Sequence, residues 1–138
     1  MIVLDTNVVS ELLRALPDAR VLRWMDAQPA DGLWLCSVVT AELHCGVARL
    51  PDGRRKQQLA EALQAVIQDD FDQRVLPFDL EASMVYADIV ARQEASGQPM
   101  NLADAQIAAT CLRHDATLTT RNLRDFGGLG LELINPWD

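Results

Sequence analysis

Three carboxylate residues stand out because each lies in a segment that is otherwise almost free of charge. Asp5 directly follows a short apolar run, and Glu42 and Asp104 each lie within a stretch rich in Ala, Val and Leu. A carboxylate in apolar surroundings is costly unless it is paired or bound to a metal. No basic residue lies three or four positions from Glu42, so a local helical ion pair is not available to it.

The residue types around these acids indicate which metal would suit them. Oxygen ligands without His or Cys partners favour Mg²⁺, with Mn²⁺ as a substitute, over zinc. The two histidines, His44 and His114, have no ligand spacing to each other. Magnesium held by carboxylates stabilises an in-line displacement at phosphorus and helps to deprotonate the attacking water. The acids therefore indicate phosphodiester hydrolysis, with Asp5, Glu42 and Asp104 as metal ligands and catalytic residues.

Two of the acids also have ordinary structural explanations. Asp5 lies where a strand is expected to pass into a helix, and Asp is a common N-cap there, although Thr6 and Asn7 could cap the helix equally well. Asp104 lies three residues after Asn101, where a carboxylate interacts favourably with the helix dipole. Both explanations stay open on the sequence alone.

The elements that must position these acids follow from the hydrophobic periodicity and the turn residues. The sequence predicts strands at residues 2–4, 33–36, 118–120 and 131–134, and an edge strand or extended segment at 75–78. It predicts helices at residues 8–14, 17–27, 38–50, 54–70, 80–96 and 102–114. Ser37 and Asn101 are expected to cap two of these helices. Alternating strands and helices indicate an α/β domain with a mostly parallel sheet.

This topology allows the acids to converge. Asp5 is expected at the end of the first strand, Glu42 in the helix after the second, and Asp104 at the start of the helix before the fourth. In open parallel sheets, sites form beyond the carboxyl ends of the strands, at the point where the strand order reverses. We therefore expect the three carboxylates to meet at one edge of the sheet.

Length and charge limit the classes of function. A chain of 138 residues, 49% of them hydrophobic, is expected to form one domain over residues 1–138 with its own core. Its net charge of −8 disfavours nucleic-acid binding through charge alone. The objection is weaker for a nuclease, because bound divalent cations invert the local field. Basic residues cluster at residues 54–56, where a solvated helix start is favoured, and at Arg121 and Arg124.

Cysteine usage and hydropathy indicate a cytoplasmic setting. The three cysteines, Cys36, Cys45 and Cys111, form no CxxC pair and each lies in an apolar run, so we expect reduced thiols in the core. Too few apolar residues precede the first charge for a signal peptide, and no apolar run is long enough to span a membrane.

Five segments, in this order along the chain, resemble the PIN-domain toxins of bacterial toxin–antitoxin systems, in particular their VapC and FitB-like branch. They are MIVLDTNVVS at 1–10, TAELHCG at 40–46, LADAQIAA at 102–109, TTRNLRDF at 119–126 and INPW at 134–137. The resemblance implies a five-stranded parallel sheet flanked by helices, a homodimer and a Mg²⁺-dependent endoribonuclease acting on RNA. It also implies a cognate antitoxin, which neutralises the toxin and provides its only connection to operator DNA.

The resemblance also assigns the site. Asp5, Glu42 and Asp104 match the acidic residues of the family, whereas Asn122 stands where relatives often carry a fourth acid. Asn122 can ligate through its carbonyl oxygen or orient a metal-bound water, but it brings no charge, which leaves a second metal open. Asp125, three residues later, is an alternative fourth acid, although a local role in the loop is favoured.

Two other functions fit parts of the pattern. A phosphoacceptor or phosphatase domain also carries Asp after its first strand, but it needs a downstream Lys, and the sole lysine, Lys56, lies in a basic run. The second alternative is a non-catalytic PIN-like partner in an antitoxin–DNA complex. Retention of Asp5, Glu42 and Asp104 argues against such loss of activity.

Overall fold

A computed structural model describes all 138 residues, and its centre is a sheet of five short strands. The strands are β1 (Ile2–Leu4), β2 (Leu33–Cys36), β3 (Val75–Leu76), β4 (Thr117–Thr119) and β5 (Leu133–Ile134). They pair in the order β3-β2-β1-β4-β5, and every pair is parallel. The predicted α/β fold with a parallel sheet is confirmed, and β3 lies at an edge as Pro77 requires.

Six helices flank the sheet. They are α1 (Thr6–Leu12), α2 (Ala19–Asp26), α3 (Ser37–Ala48), α4 (Arg54–Ala65), α5 (Leu80–Ala95) and α6 (Leu102–Arg113). Short 3₁₀ turns occur at Ala30–Gly32 and Leu123–Phe126, and a π-helical turn continues α4 over Val66–Asp70. No helix combines the length and the apolar character needed to cross a membrane.

The strand order reverses at β1, which lies between β2 and β4. Ile2 is in register with both Leu33 and Thr117, and the backbone N–H of Asp5 donates to the carbonyl of Thr119 at 2.9 Å. Because the strands are parallel, the residues that follow them lie at one edge of the sheet. The first strand therefore delivers Asp5 to the switch point where ligand sites form in open α/β sheets.

Helix α6 is buried on most of its surface, as its all-round apolar sequence predicts. Five of its core residues are small or apolar and fully buried: Ala105, Ile107, Ala108, Ala109 and Cys111. Asp104 lies in the first turn of this helix, and Asn101 caps it by accepting hydrogen bonds from the backbone N–H groups of Ala103 (2.9 Å) and Asp104 (3.3 Å). The predicted Asn101 cap is thus confirmed.

The predicted Ser37 cap is wrong. Helix α3 begins at Ser37 itself, and Cys36 occupies the N-cap position without a side-chain hydrogen bond. The Ser37 hydroxyl instead accepts from the backbone N–H of Phe78 at 3.1 Å. This contact satisfies a backbone donor of the segment after β3 that has no strand partner. Because it joins residues that are distant in the sequence, local helix propensity does not reveal it.

Two further expectations need correction. Helix α1 begins at Thr6, two residues earlier than predicted, because Asp5 is its N-cap: a carboxylate oxygen accepts from the Thr6 backbone N–H at 2.8 Å. Cys36 and Cys111 are buried, but Cys45 is exposed on the outer face of α3, so it is not a core thiol. The apolar run around Cys45 spans all faces of the helix, but the face that carries Cys45 is exposed.

Removal of the Asn101 cap should destabilise the domain. In Asn101→Ala, two backbone N–H groups at the start of α6 lose their acceptor, and the free energy of unfolding should fall by about 1 kcal/mol. Urea denaturation followed by circular dichroism measures this difference. Asn101→Ser, which keeps a capping oxygen, is the control and should lose much less. Equal stability of wild type and Asn101→Ala would show that the cap contributes nothing.

Candidate active site

Asp5 is nearly buried, with 4% of its surface exposed, and neutral donors hold both of its carboxylate oxygens. One oxygen accepts from the Thr6 backbone N–H at 2.8 Å. The other accepts from the Thr120 hydroxyl at 2.7 Å and from the Asn7 side-chain amide at 3.3 Å. These contacts fix the carboxylate in position without supplying a positive charge.

Glu42 projects from α3, and the hydroxyl of Thr6 donates to its carboxylate at 2.6 Å. Because the backbone of the same Thr6 binds Asp5, one residue of α1 connects two of the acids. Glu42 is partly exposed, so its second oxygen can face the cleft between α1 and α3.

Asp104 is half-buried and takes part in no ion pair. Burial is the main cause that raises its pKa to about 6, and the neighbouring charges of Asp5, Glu42 and Asp125, in that order, account for the rest of the rise. The pKa of Asp5 is also raised, mainly by burial, against the lowering effect of the Thr120 hydrogen bond; Glu42 adds to the rise. The three predicted acids are thus near enough for their charges to act on one another.

The donor set fits a magnesium ion that keeps much of its water. No three His, Cys, Asp or Glu side chains stand close enough together to enclose a cation. Mg²⁺ dehydrates reluctantly and is commonly held by one or two carboxylates and several waters, so a closed cage is not required. The acids supply carboxylate oxygens and take part in no ion pair, and the nearby Cys36 stays a neutral thiol because burial raises its pKa to about 11.

Comparison with known proteins gives the family. The sequence profile of the PIN domain matches residues 2–127. This chain belongs to the PIN-domain family. It is 45% identical over 138 residues to VapC ribonuclease Y4jK of Sinorhizobium fredii, covering 100% of this chain and 99% of that protein. It is 39% identical over 137 residues to toxin FitB of Neisseria gonorrhoeae, covering 99% of each.

A solved structure supports the same grouping. The structure of FitAB bound to the IR36 DNA fragment superposes with a TM-score of 0.91 at 38% identity, covering 100% of this chain and 96% of the matched one. The likeness extends over the whole PIN domain, including all the elements that carry the acids.

The fourth position of this PIN domain remains uncharged. Asn122 is exposed in the loop after β4, where its backbone N–H donates to the Thr120 hydroxyl at 3.0 Å and its side chain makes no hydrogen bond to the acids. Asp125 is exposed as well, yet its charge contributes to the raised pKa of Asp104. Of the two, Asp125 is therefore the one that adds negative charge to the cleft.

Sequence reasoning missed the neutral residues that hold the acids in place. Thr120 is fully buried and binds Asp5, while Asn7 binds both Asp5 and the Thr120 hydroxyl (3.3 Å). The available signal was position: Thr6 and Asn7 directly follow Asp5, and Thr120 follows the strand that pairs with β1. Polar residues at neighbouring strand ends can be expected to meet.

The raised pKa of Asp104 predicts how stability depends on pH. The folded chain retains a proton on Asp104 up to about pH 6, whereas the unfolded chain releases it near pH 4. The stabilising contribution of this group is therefore complete below about pH 4 and is lost as the pH rises through about 6. Metal-free Asp104→Asn should melt about 3 °C above wild type near pH 7.5, and the gap should narrow towards pH 4.

Scanning calorimetry in the presence of a chelator measures both melting temperatures across this range. Asp69→Asn, which removes an exposed carboxylate of the π-helical turn, is the matched control and should show no such pH-dependent gap. A lower melting temperature for Asp104→Asn than for wild type near pH 7.5 would mean that Asp104 acts as a structural residue at the helix start.

Proposed function

We propose that this PIN domain is a toxin of a toxin–antitoxin system that cleaves RNA as a Mg²⁺-dependent endoribonuclease, with Mn²⁺ as a possible substitute. The observation that carries the proposal is the group of three carboxylates, Asp5, Glu42 and Asp104, at the switch point of the sheet without a compensating cation. The names of the relatives, VapC ribonuclease and toxin FitB, support the activity and the biological role.

Each of the three acids has its own role in the proposed reaction. Asp5 and Asp104 would be the principal metal ligands, and Glu42 would help to orient the metal or the attacking water. When bound, the metal ion would offset charge on the phosphodiester and lower the pKa of a bound water. Thr6, Asn7 and Thr120 hold Asp5 and Glu42 so that these oxygens need little reorganisation. Asn122 remains a proposed auxiliary ligand through its carbonyl oxygen.

Asn substitutions test the metal site. Asp5→Asn and Asp104→Asn keep the side-chain shape but remove the charge, and each should lower Mg²⁺-dependent cleavage of a mixed RNA pool at least about 100-fold. Asp69→Asn should cleave like wild type. Calorimetric titration with Mg²⁺ should show weakened binding in the same two variants. Full activity of both variants, with contaminating nuclease excluded, would contradict the assignment.

A groove beside the acids supports the proposed antitoxin. It lies between α1, α3 and α4, has a volume of about 830 Å³ and includes Thr6 and Glu42 in its wall. Most of its surface is apolar, with Leu16 at its rim 86% exposed. An amphipathic antitoxin segment could bury apolar side chains here and present an Arg to the acids, since a guanidinium matches carboxylate geometry in a bidentate manner.

The complex of FitAB with a DNA fragment supports operator binding by way of the antitoxin. The net charge of −8 agrees with an indirect connection to DNA, because the chain offers little general attraction for phosphates. We extend the proposal to a homodimer, which rests on the family resemblance alone, and to a cytoplasmic setting, which rests on the cysteine usage and hydropathy of the sequence.

Leu16→Asp tests the groove as the antitoxin site. The substitution places a charge on an exposed side chain at the rim, so folding and RNA cleavage should persist while antitoxin affinity falls at least about tenfold. Expression of the wild-type chain alone should slow bacterial growth, and coexpression of the neighbouring gene should restore it. Coexpression of the same gene with Leu16→Asp should restore growth poorly. Leu80→Asp, on α5 and 78% exposed, is the control. Full neutralisation of Leu16→Asp would exclude this surface.

A non-catalytic role remains the second candidate and makes a distinct prediction. Purified protein would then bind its partner normally but cleave no RNA with either Mg²⁺ or Mn²⁺. A phosphatase role is disfavoured because Lys56 binds Asp52 and the carbonyl of Ala48, each at 3.2 Å, near the start of α4.

A further inference from the structure

The main chain at Arg121 is tied to the acidic cleft. Arg121 directly follows Thr120, whose hydroxyl binds Asp5, and its own backbone N–H donates to the side-chain carbonyl of Asn7 at 3.2 Å. The same Asn7 amide donates to Asp5. Two connections thus fix the position of Arg121 relative to the carboxylates.

The side chain of Arg121 has a support of its own. Its guanidinium carbon lies 4.8 Å from the centre of the Trp137 ring, a cation–π arrangement. Trp137 is only 5% exposed, and its backbone N–H donates to the Asn135 side chain at 2.9 Å, so the ring is itself held firmly. A side chain stacked in this way loses less freedom when it binds a ligand.

The charge of Arg121 is not taken up by an ion pair within the chain. Arg121 is exposed and forms no ion pair. Its charge makes a minor contribution to the lowered pKa of Asp18, but the ion-pair partner of Asp18 is Arg20, at 2.8 Å. Arg121 is absent from the charges that shift the pKa of Asp5 or Asp104. The guanidinium is therefore not a partner of these acids, although its backbone is hydrogen-bonded to the same Asn7 that binds Asp5, and it remains free to bind an anion.

We propose that Arg121, supported by Trp137, binds a backbone phosphate of the RNA next to the phosphodiester that is cleaved. This inference rests on the proposed ribonuclease function. A chain with a net charge of −8 repels RNA as a whole, so a fixed cation near the cleft has a large effect on binding. A phosphate contact positions the strand without reading its sequence, and a planar guanidinium suits phosphate oxygens.

Arg121→Gln tests the anchor, with Arg124→Gln as the matched control because Arg124 is an exposed arginine of the same loop without an aromatic support. For RNA cleavage with Mg²⁺, Arg121→Gln should raise KM about tenfold and change kcat less than about twofold, whereas Arg124→Gln should resemble wild type. Arg121→Lys keeps the charge but loses the planar stack, so its KM should lie between those of wild type and Arg121→Gln.

A binding measurement separates the anchor from catalysis. Fluorescence anisotropy with a labelled single-stranded RNA, using Asp5→Asn to prevent cleavage, gives affinity as a function of salt. Adding Arg121→Gln should weaken binding for any sequence and reduce the slope of log affinity against log salt by about 0.7, the value for one phosphate contact on a single strand. Wild-type protein that cleaves no RNA would refute the ribonuclease, while an Arg121-dependent affinity would still support the anchor.

Several results would overturn the anchor. They are an RNA affinity and salt slope unchanged by Arg121→Gln, an effect equal to that of Arg124→Gln, or an effect on a DNA of the same sequence but not on the RNA. A fall in kcat without a change in KM would instead assign Arg121 to the reacting phosphate.

Discussion

The site depends on one constraint, the burial of the Asp5 carboxylate at the end of the central strand. The parallel pairing of β1 with β4 brings the loop after β4 against the start of α1, so that Thr120 and Asn7 can donate to one oxygen of Asp5. The Thr6 backbone N–H binds the other oxygen, and the Thr6 hydroxyl extends the network to Glu42. Neutral donors thereby determine where the acids lie.

Neutral donors satisfy hydrogen bonding but do not neutralise charge. Burial opposes their effect on the pKa of Asp5 and raises it. Burial, together with repulsion from neighbouring acids that no basic group offsets, also raises the pKa of Asp104 to about 6. A metal ion or a guanidinium would relieve the same repulsion. In the proposed function, the catalytic metal ion and an arginine of the antitoxin would therefore compete for the same carboxylates.

Patterns that repeat along an element were predictable from the sequence, whereas contacts between distant segments were not. The apolar strands and the all-round apolar α6 indicated a parallel sheet with a buried helix, and unpaired acids indicated the cleft. The sequence offered Thr6, Asn7 and Asp5 as equal candidates for the α1 cap, and only the fold selects Asp5. Ser37 was misassigned for a similar reason, because its hydroxyl binds Phe78, 41 residues away. Thr120 was missed since its partner Asp5 is 115 residues away in the sequence.

The loop after β4 carries both a residue that binds Asp5 and the arginine that is proposed to bind phosphate. Thr120 turns inward to Asp5, and Arg121 turns outward to the Trp137 ring near the end of the chain. The backbone between them is shared, so the hydrogen bonds that orient the acid also position the main chain at Arg121, while the Trp137 ring positions its guanidinium. A positive group held at a fixed offset from the carboxylates, and not paired with them, leaves their charge available for a metal. The pairing of β4 with β5, which carries the chain on to Trp137, therefore matters to the site although β5 contributes no acid to it.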